Sequence, residues 1–483
     1  MTGASNKCDI ARRAILGGIG GAAGLAITGA GSWDHAGVGF SELYNALVRS
    51  LSPTQKQYTF LPSDHPARQI TLTQAVHQGP HIGTLYNSYQ TDLIRKIYQH
   101  LLSLQGQHWM RNTISLEGRF EASNFKIYSN DPERLTIENS QVVINGGHYM
   151  LRSKDLAGSG YALGGPISYG QQLGDKQYKV EGNAFKAHGD ALDQFHRALS
   201  KRERLTAYEN SPPYELLLQI QGNDGVFSGI RIGAVSDSAQ EVAQDTINTL
   251  LSGFTAEQRS EAWSAIDDNG GIESLYVTMF RDFSFYAKGV RYTDLDQAQR
   301  NSRDVPYAQV WRIEGPAFVM HFQGYPHVHA YLNIVRDPSK IAIGEALTET
   351  PRPLSQTQVK NLIVSMLKER SNQSLAFYPD SLLGRLSPGV VSSGSVYTLD
   401  PFANEIVIAE ISTETMSNEL LNSLRQQGVN PLSGKRYRVA TIDYMLARKE
   451  LFGVPEQVVY TQKIVRDQLV EFFTDKDLGG LFV

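Results

Sequence analysis

The sequence predicts an α+β fold in two domains, each with mixed or antiparallel strands packed against helices. Three observations support it: apolar residues at helical spacing, short alternating segments bounded by glycine, and a polar stretch with two prolines, TETPRPLSQTQ at 348–358. We therefore expect a first domain at 31–345, a linker at 346–358 and a second domain at 359–483. No internal repeat is visible.

The composition is that of an ordinary globular protein. The 483 residues include 45 basic and 49 acidic side chains, for a formal net charge of -4, which excludes a nucleic-acid surface built on bulk positive charge. The 23 Tyr, 19 Phe and 4 Trp residues supply ample material for a core, which argues against disorder. Beyond the N-terminus, no apolar stretch reaches the roughly 18 residues that span a bilayer.

Residues 1–30 have the pattern of an export signal. Basic residues come first, an uncharged run rich in Gly and Ala follows, and the segment ends in small residues, as at a cleavage site. Arg12 and Arg13 directly before the run resemble a twin-arginine signal. A buried Gly/Ala helix is the alternative. We expect a periplasmic or extracellular protein without a transmembrane anchor after signal removal.

Cys8, the one cysteine, lies inside this segment. The mature chain would then contain no cysteine, which excludes disulfides, thiolate metal ligands and a cysteine nucleophile. Any metal ion must be held by other side chains or by backbone.

Helical and strand patterns alternate along the first domain. In chain order, we expect a helix at 85–103, strands between 113 and 153, helices at 189–200, 237–252 and 256–266, and strands between 307 and 335. His188 and His196 fall in the second helix, where we interpret them as ordinary polar residues.

The strand that begins at His327 carries the most informative pattern. Here His327, His329, Tyr331 and Asn333 share one face with period two, and apolar residues share the other. His-x-His on a strand places two imidazoles about 6–7 Å apart on one side, which suits two ligands of one metal ion.

Two further histidines could complete a metal site. His321 lies on the preceding strand and joins the pair if the two strands form a hairpin, and His148 follows two glycines. We predict a divalent metal ion at His148, His321, His327 and His329. Imidazole suits zinc, copper and iron alike, so the identity of the metal stays open. The alternative is that these histidines face water.

Arg312 and Glu314 form a charged pair on one face of the strand before Gly315-Pro316. Because a carboxylate beside a cation can act in acid–base catalysis, both are candidate catalytic residues. A lone glutamate in a strand is more often structural.

Several blocks of the first domain resemble an uncharacterised bacterial family, domain of unknown function 3500. They are WRIEGP followed by P-H-x-H at 311–329, Gly147-His148, GPISYGQQ at 165–172 and SGIRIGAVSDSAQEVA at 228–243. The resemblance covers about 51–337. It implies an exported, histidine-bearing, metal-dependent protein and names no reaction. Where many members have a second His after Gly-His, this chain has Tyr149.

The C-terminal part resembles the C-terminal domain of 5'-nucleotidases over about 355–460. The blocks are VKNLIVSMLKE at 359–369, a P-F-x-N turn at 401–404 and ATIDYMLARKE at 440–450. The resemblance implies that Phe402 and Tyr444 clamp a nucleobase, and that Asn404 and Glu450 bind the same ligand. The family's two glycines before the acid are Arg448 and Lys449 here, which changes the ligand side of the pocket.

The phosphoesterase motifs that usually accompany this domain, D-x-H, G-N-H-[DE] and G-H-x-H, are absent from the sequence. If the chain is a hydrolase, its metal must therefore come from the histidines of the first domain. Together with the export signal and the resemblance to 5'-nucleotidases, this predicts an exported metal-dependent hydrolase acting on a nucleotide-like or aromatic ester or phosphoester. A copper or iron oxidoreductase is one alternative. A periplasmic metal- or ligand-binding protein without enzymatic activity is the other. The expected partner is a small molecule, and no nucleic acid.

Overall fold

The computed structural model describes most of the chain. The described residues are 39–69, 80–117, 120–131, 133–154, 156, 160–172, 183–210, 212–213, 215, 218–281, 310–324, 328–340, 344–351, 354–382, 386, 389–400 and 402–475. The predicted export signal, with Cys8, and the predicted ligand His327 lie outside these ranges. In them, no helix is both long and apolar enough to cross a membrane.

The fold is α+β, as predicted. The strands are Phe60–Pro62 (β1), Asn124–Ser129 (β2), Ser140–Asn145 (β3), Tyr149–Arg152 (β4), Ile167–Gln171 (β5), Tyr208–Glu209 (β6), Ile230–Arg231 (β7), Tyr276–Phe280 (β8), Val310–Gly315 (β9), Phe318–Gln323 (β10), Val328–Ile334 (β11), Ala346–Thr350 (β12), Gly389–Ser392 (β13), Glu405–Ser412 (β14), Arg436–Ile442 (β15) and Gln457–Ile464 (β16).

The α-helices come between these strands. They are Phe40–Ser50 (α1), Pro53–Thr59 (α2), Ile82–Leu85 (α3), Ser88–His100 (α4), Leu104–Glu117 (α5), Lys186–Ala198 (α6), Lys201–Ala207 (α7), Asp237–Leu251 (α8), Ala256–Asp268 (α9), Gln356–Ser371 (α10), Ser393–Leu399 (α11), Asn418–Gln426 (α12) and Val465–Thr474 (α13). Short polar sequences fix many helix starts. Ser52, Thr255 and Ser355 each accept a hydrogen bond from the backbone three residues on, and a glutamine there bonds back.

One large mixed sheet organises the N-terminal part. Its strand order is β1-β2-β3-β4-β5-β11-β10-β9-β8-β6, with β7 beside β8. The pairs β1–β2 and β6–β8 are parallel. The pairs β8–β9, β9–β10 and β10–β11 are antiparallel. The segment 113–117, expected to start a strand group, is instead the end of α5.

Both faces of the large sheet are buried, but they differ in character. Alternate residues of β11, Val328, Ala330, Leu332 and Ile334, join helix side chains in the main apolar core, which confirms the predicted period of two. On the opposite face Tyr331 packs in a small second cluster. Polar side chains fill much of the rest of that face.

The C-terminal part has its own core, drawn from buried apolar residues between 354 and 473. Its sheet is antiparallel, in the order β15-β14-β16, and β12 pairs with β13. Helix α10 contains the predicted 359–369 helix and ends at Ser371, and the next residue, Asn372, adopts a left-handed conformation with φ of 53°.

His188 and His196 are not ordinary polar helix residues, and that interpretation is wrong. The side chain of His188 is 0 % exposed, and its ring centroid lies 4.9 Å from that of Trp109 and 5.9 Å from that of Phe322. Burial lowers the pKa of His188 to about 3. Burial, with help from Arg204 and Arg197, lowers that of His196 to about 4. Both rings serve as neutral parts of the core.

Acid should destabilise the chain through His188. The pKa of His188 in the folded chain lies below the ordinary value of 6.5. Between pH 6.5 and about 3, the unfolded chain therefore binds a proton at this residue and the folded chain does not. The stability linked to this histidine is present above pH 6.5 and is lost as the pH falls towards 3. We expect His188→Phe, which keeps an aromatic ring in place, to reduce the pH slope of the unfolding free energy by about 1.4 kcal/mol per pH unit in that range.

Urea unfolding at a series of pH values measures this slope. His81→Gln, at a side chain that is exposed in the folded chain, is the control. Equal slopes for wild type and His188→Phe would contradict the assignment.

Candidate functional site

A row of polar side chains crosses the second face of the large sheet. In register, His321 on β10 lies between Arg312 on β9 and Tyr331 on β11, and Tyr331 lies opposite Ser168 on β5. Residues directly opposite each other on paired strands point to the same face. The two strands predicted to carry the histidines therefore do pair, and His321 and His329 share a face as diagonal neighbours.

His329 is held by a carboxylate. Its Nδ1 lies 2.8 Å from Oε2 of Glu215, and the two side chains are only 17% and 13% exposed. Because a carboxylate accepts, Nδ1–H donates, and the lone pair of a neutral ring is placed on Nε2. A fixed tautomer of this kind is the arrangement that a general base or a metal ligand needs.

A second imidazole packs beside this pair. The ring centroids of His148 and His329 are 4.9 Å apart, and the Tyr331 ring lies 5.9 Å from His329 on another side. His148 is 5% exposed, so the group is largely shielded from water. The structure thus brings together two of the histidines that the sequence singled out.

His321 is the most deeply buried member of the group, at 0% exposure. Burial, then the positive charge of Arg312 and the proximity of His329, hold its pKa well below the ordinary value. Within the described ranges, neither ring nitrogen of His321 has a hydrogen-bond partner. A neutral imidazole with two uncommitted nitrogens is costly to bury unless something else engages it.

The predicted catalytic pair lies next to His321. Arg312 and Glu314 are 3% and 9% exposed, and the Arg312 Nε to Glu314 Oε2 distance is 3.9 Å, at the limit of an ion pair. Gln221 holds Glu314 more closely, since its Nε2 donates to Oε1 at 2.7 Å. The pair therefore supplies a buried cation and an oriented carboxylate on the same face as the histidines.

The four histidines do not all enter the described structure. Among the described residues, no group of three or more His, Cys, Asp or Glu side chains is placed to hold a metal ion. His327 lies outside those residues. The predicted ligand set of His148, His321, His327 and His329 therefore stays a prediction.

In the C-terminal part, the predicted ligand Asn404 is engaged inside the protein. Its Nδ2 donates to Asp400 Oδ1 at 2.6 Å, and its backbone N–H donates to Asp400 Oδ2 at 3.2 Å. Asp400 is 1% exposed, and burial raises its pKa to about 7 despite the Asn404 bonds and the nearby Arg466. The Asn404 amide thus anchors the turn before β14.

Arg448 contacts Tyr444, one of the two residues of the predicted aromatic clamp. Its guanidinium carbon lies 5.1 Å from the centroid of the Tyr444 ring, and its Nε donates to the Tyr444 hydroxyl at 2.7 Å. Glu450 pairs with the same arginine at 3.4 Å. Phe402 is 37% exposed. Of the four predicted ligand residues, Tyr444 and Glu450 contact Arg448, Asn404 contacts Asp400, and Phe402 presents its ring to solvent.

Sequence reasoning missed two residues of the sheet face, Glu215 and Gln221. Both lie about a hundred positions from their partners, with separations of 114 and 93 residues. Glu215 follows Pro212-Pro213 in a segment without regular periodicity, and no motif marks it. Only the tertiary fold brings these side chains to the strands.

Comparison with known proteins adds little. No family model matches the chain, and no curated protein matches it. Among solved structures, a 5'-nucleotidase precursor from Thermus thermophilus is 12% identical, with a TM-score of 0.23, over 35% of this chain and 47% of that one. A putative 5'-nucleotidase from Staphylococcus aureus, in complex with alpha-ketoglutarate, is 13% identical, with a TM-score of 0.21, over 36% and 49%. The chain thus spans about half the length of either structure, and such low scores establish no shared function.

Asp400 should make stability fall with rising pH. Its pKa in the folded chain, about 7, exceeds the ordinary 3.8, so the folded chain holds a proton that the unfolded chain releases. The linked stability is present below pH 3.8 and is lost as the pH rises through 7. We expect Asp400→Asn to remove this loss, so that the variant gains on wild type by up to about 1.4 kcal/mol per pH unit in that window.

Urea unfolding at acidic, neutral and alkaline pH compares the two chains. Asp467→Asn, at an exposed aspartate of α13, is the matched control. A stability difference between Asp400→Asn and wild type that does not change with pH would contradict the prediction.

Proposed function

We propose that the chain is a hydrolase of esters or phosphoesters, with its active site on the polar face of the large sheet. The observation that carries the proposal is the 2.8 Å contact between Glu215 and His329 beside His148. A largely buried imidazole oriented by a carboxylate is the usual device for taking a proton from water or a hydroxyl group.

In this mechanism His329 Nε2 accepts a proton from water while the water oxygen attacks the carbonyl carbon or the phosphorus. Glu215 stabilises the imidazolium that forms. The ester bond then breaks, and the leaving oxygen takes the proton back from His329. Arg312, buried on the same face, stabilises negative charge on the substrate oxygens, because a cation acts strongly where water is excluded.

The substrate class follows from two features. A buried arginine on the site favours an anionic or strongly polarised group. The Phe402 ring, 37% exposed, supports the proposal of an aromatic or nucleotide-like ligand for the C-terminal part. Arg448 lies over the Tyr444 ring, so a ligand stacked on that face of Tyr444 would have to displace the arginine.

Removing either member of the Glu215–His329 pair should abolish most of the activity. We expect Glu215→Gln and His329→Gln each to lower kcat by about 10²–10⁴. The kcat of the double variant should be no lower than that of the less active single variant, because the two groups act as a unit. Turnover is measured on p-nitrophenyl acetate, p-nitrophenyl phosphate and adenosine monophosphate.

Glu241→Gln, at an exposed glutamate of α8, is the control and should keep full activity. Full activity of Glu215→Gln would contradict the mechanism. Absence of turnover by wild type on all three substrates, with or without added metal, would favour a binding protein instead.

One observation favours a metal-dependent form of the same hydrolase. His321 is neutral, fully buried and without a hydrogen-bond partner in the described ranges, which is the state a metal ligand requires. We propose His148, His321, His327 and His329 as the candidate ligands of zinc, copper or iron. A metal ion held there would polarise a substrate oxygen. In that case Glu215 would orient His329 from the second coordination sphere.

Elemental analysis tests the metal proposal. We expect about one equivalent of metal per chain in wild type, and loss of most of it in His321→Ala. His100→Ala, at a half-buried histidine of α4, should retain it. Metal-free wild type after incubation with zinc, copper and iron would overturn the metal proposal and leave the acid–base mechanism standing.

A further inference from the structure

A cluster of hydrogen-bond donors lies where the C-terminal part meets the other end of the large sheet. His65 follows β1, and its ring centroid is 6.5 Å from Tyr397 on α11 and 6.3 Å from Tyr128 on β2. The guanidinium of Arg466, on α13, lies 4.5 Å from the centroid of the same Tyr397 ring. Side chains from both parts of the chain therefore meet around one tyrosine.

Two of the donors in this cluster are Arg466 Nε and the His65 ring. Arg466 Nε is buried and, within the described part of the chain, makes no hydrogen bond. The backbone N–H of Ala67 donates to His65 Nδ1 at 3.2 Å, so the neutral His65 ring carries its proton on Nε2. The Nε2–H group of the imidazole is therefore a hydrogen-bond donor.

Lys126 adds a second cation. It is 6% exposed, on the same face of β2 as Tyr128, and its Nζ donates to the backbone carbonyl of Tyr58. Burial lowers the pKa of His65, and Arg466 and Lys126 lower it further whereas Asp64 raises it, so both cations are close to that ring. Burial lowers the pKa of Lys126, and its ammonium group, bonded to one neutral carbonyl, has two further N–H groups that can donate.

The nearby carboxylates neutralise this charge only in part. Asp64 acts on His65 but is exposed to water. Asp400 lies close enough to Arg466 to interact with its charge, but both of its oxygens accept hydrogen bonds from Asn404, and burial raises its pKa to about 7, so it is only partly charged near neutral pH. Two cations held close together without a hydrogen-bonded counter-ion repel each other and cost stability. An anion between them would remove that cost.

We propose that the junction of His65, Lys126, Tyr397 and Arg466 binds an oxyanion, a phosphate or carboxylate group of a small molecule. The guanidinium and the ammonium supply charge-assisted hydrogen bonds, and the imidazole supplies a neutral one. Lys126 is on β2 and His329 on β11, four strands apart in the sheet order, which places the junction about 19 Å from the histidine group. It is thus a site separate from the proposed active site.

Such a site would couple ligand binding to the packing of the two parts. Lys126 belongs to the large sheet, and Arg466 belongs to the C-terminal core through α13. An anion that bonds to both holds the parts together and stabilises the folded chain by mass action.

Isothermal titration calorimetry of the full chain tests the proposal, with inorganic phosphate and acetate as probes against sodium chloride of equal ionic strength. We expect saturable binding of at least one of the two anions. Arg466→Met and Lys126→Met should each weaken it at least tenfold. Arg436→Met, at an exposed arginine paired with Glu456, should leave it unchanged.

Tight phosphate binding with weak acetate binding would assign a phosphate group, and the reverse a carboxylate. Hydrogen-exchange mass spectrometry of wild type locates the site without any variant, and the anion should protect 60–69 and 465–474. No saturable binding of either anion, equal binding by Arg466→Met, or protection confined to other segments would overturn the proposal.

Discussion

The central strands of the large sheet have a second buried face opposite the helices, and this face holds His321, Arg312 and Glu314. Burying a polar or charged side chain is unfavourable unless a partner inside the protein compensates for lost water. The contacts of Gln221 with Glu314 and of Glu215 with His329 provide that compensation. The chemistry proposed for the site depends on the same burial, because a shielded imidazole and a shielded cation act more strongly than exposed ones.

The same constraint explains why the two ends of this face differ. Around β9 to β11, the Glu215 carboxylate bonds to His329 and the Gln221 amide bonds to Glu314. Near β1 and β2, Lys126 and Arg466 come close to His65, and the carboxyl groups that act there are the exposed Asp64 and the partly protonated Asp400. One end is therefore suited to acid–base chemistry and the other to holding an anion. In the C-terminal core, the cost of burying Asp400 is reduced in a different way. Burial raises its pKa to about 7, so the carboxyl group is partly protonated near neutral pH.

Local patterns predicted much of the architecture. The period-two alternation of β11, the antiparallel partner that carries His321, and helices near 189–200, 237–252 and 256–266 all follow from short-range sequence periodicity. The environment of His188 could not be predicted in this way, because its aromatic neighbours come from distant segments such as Trp109 and Phe322. The role of Glu215 could not be predicted for the same reason. The stacking of Arg448 on Tyr444 could not be predicted either, because it depends on a side-chain conformation rather than on residue type.

Nitrogen NMR of the chain labelled with 15N-histidine tests most directly whether Glu215 fixes the tautomer of His329. His329→Gln identifies the ring signals by their disappearance. We expect a protonated Nδ1 and an unprotonated Nε2 for His329 at neutral pH. In Glu215→Gln, the preference for this tautomer should be weaker. An unprotonated Nδ1 in wild type, or the same spectrum in Glu215→Gln, would contradict it.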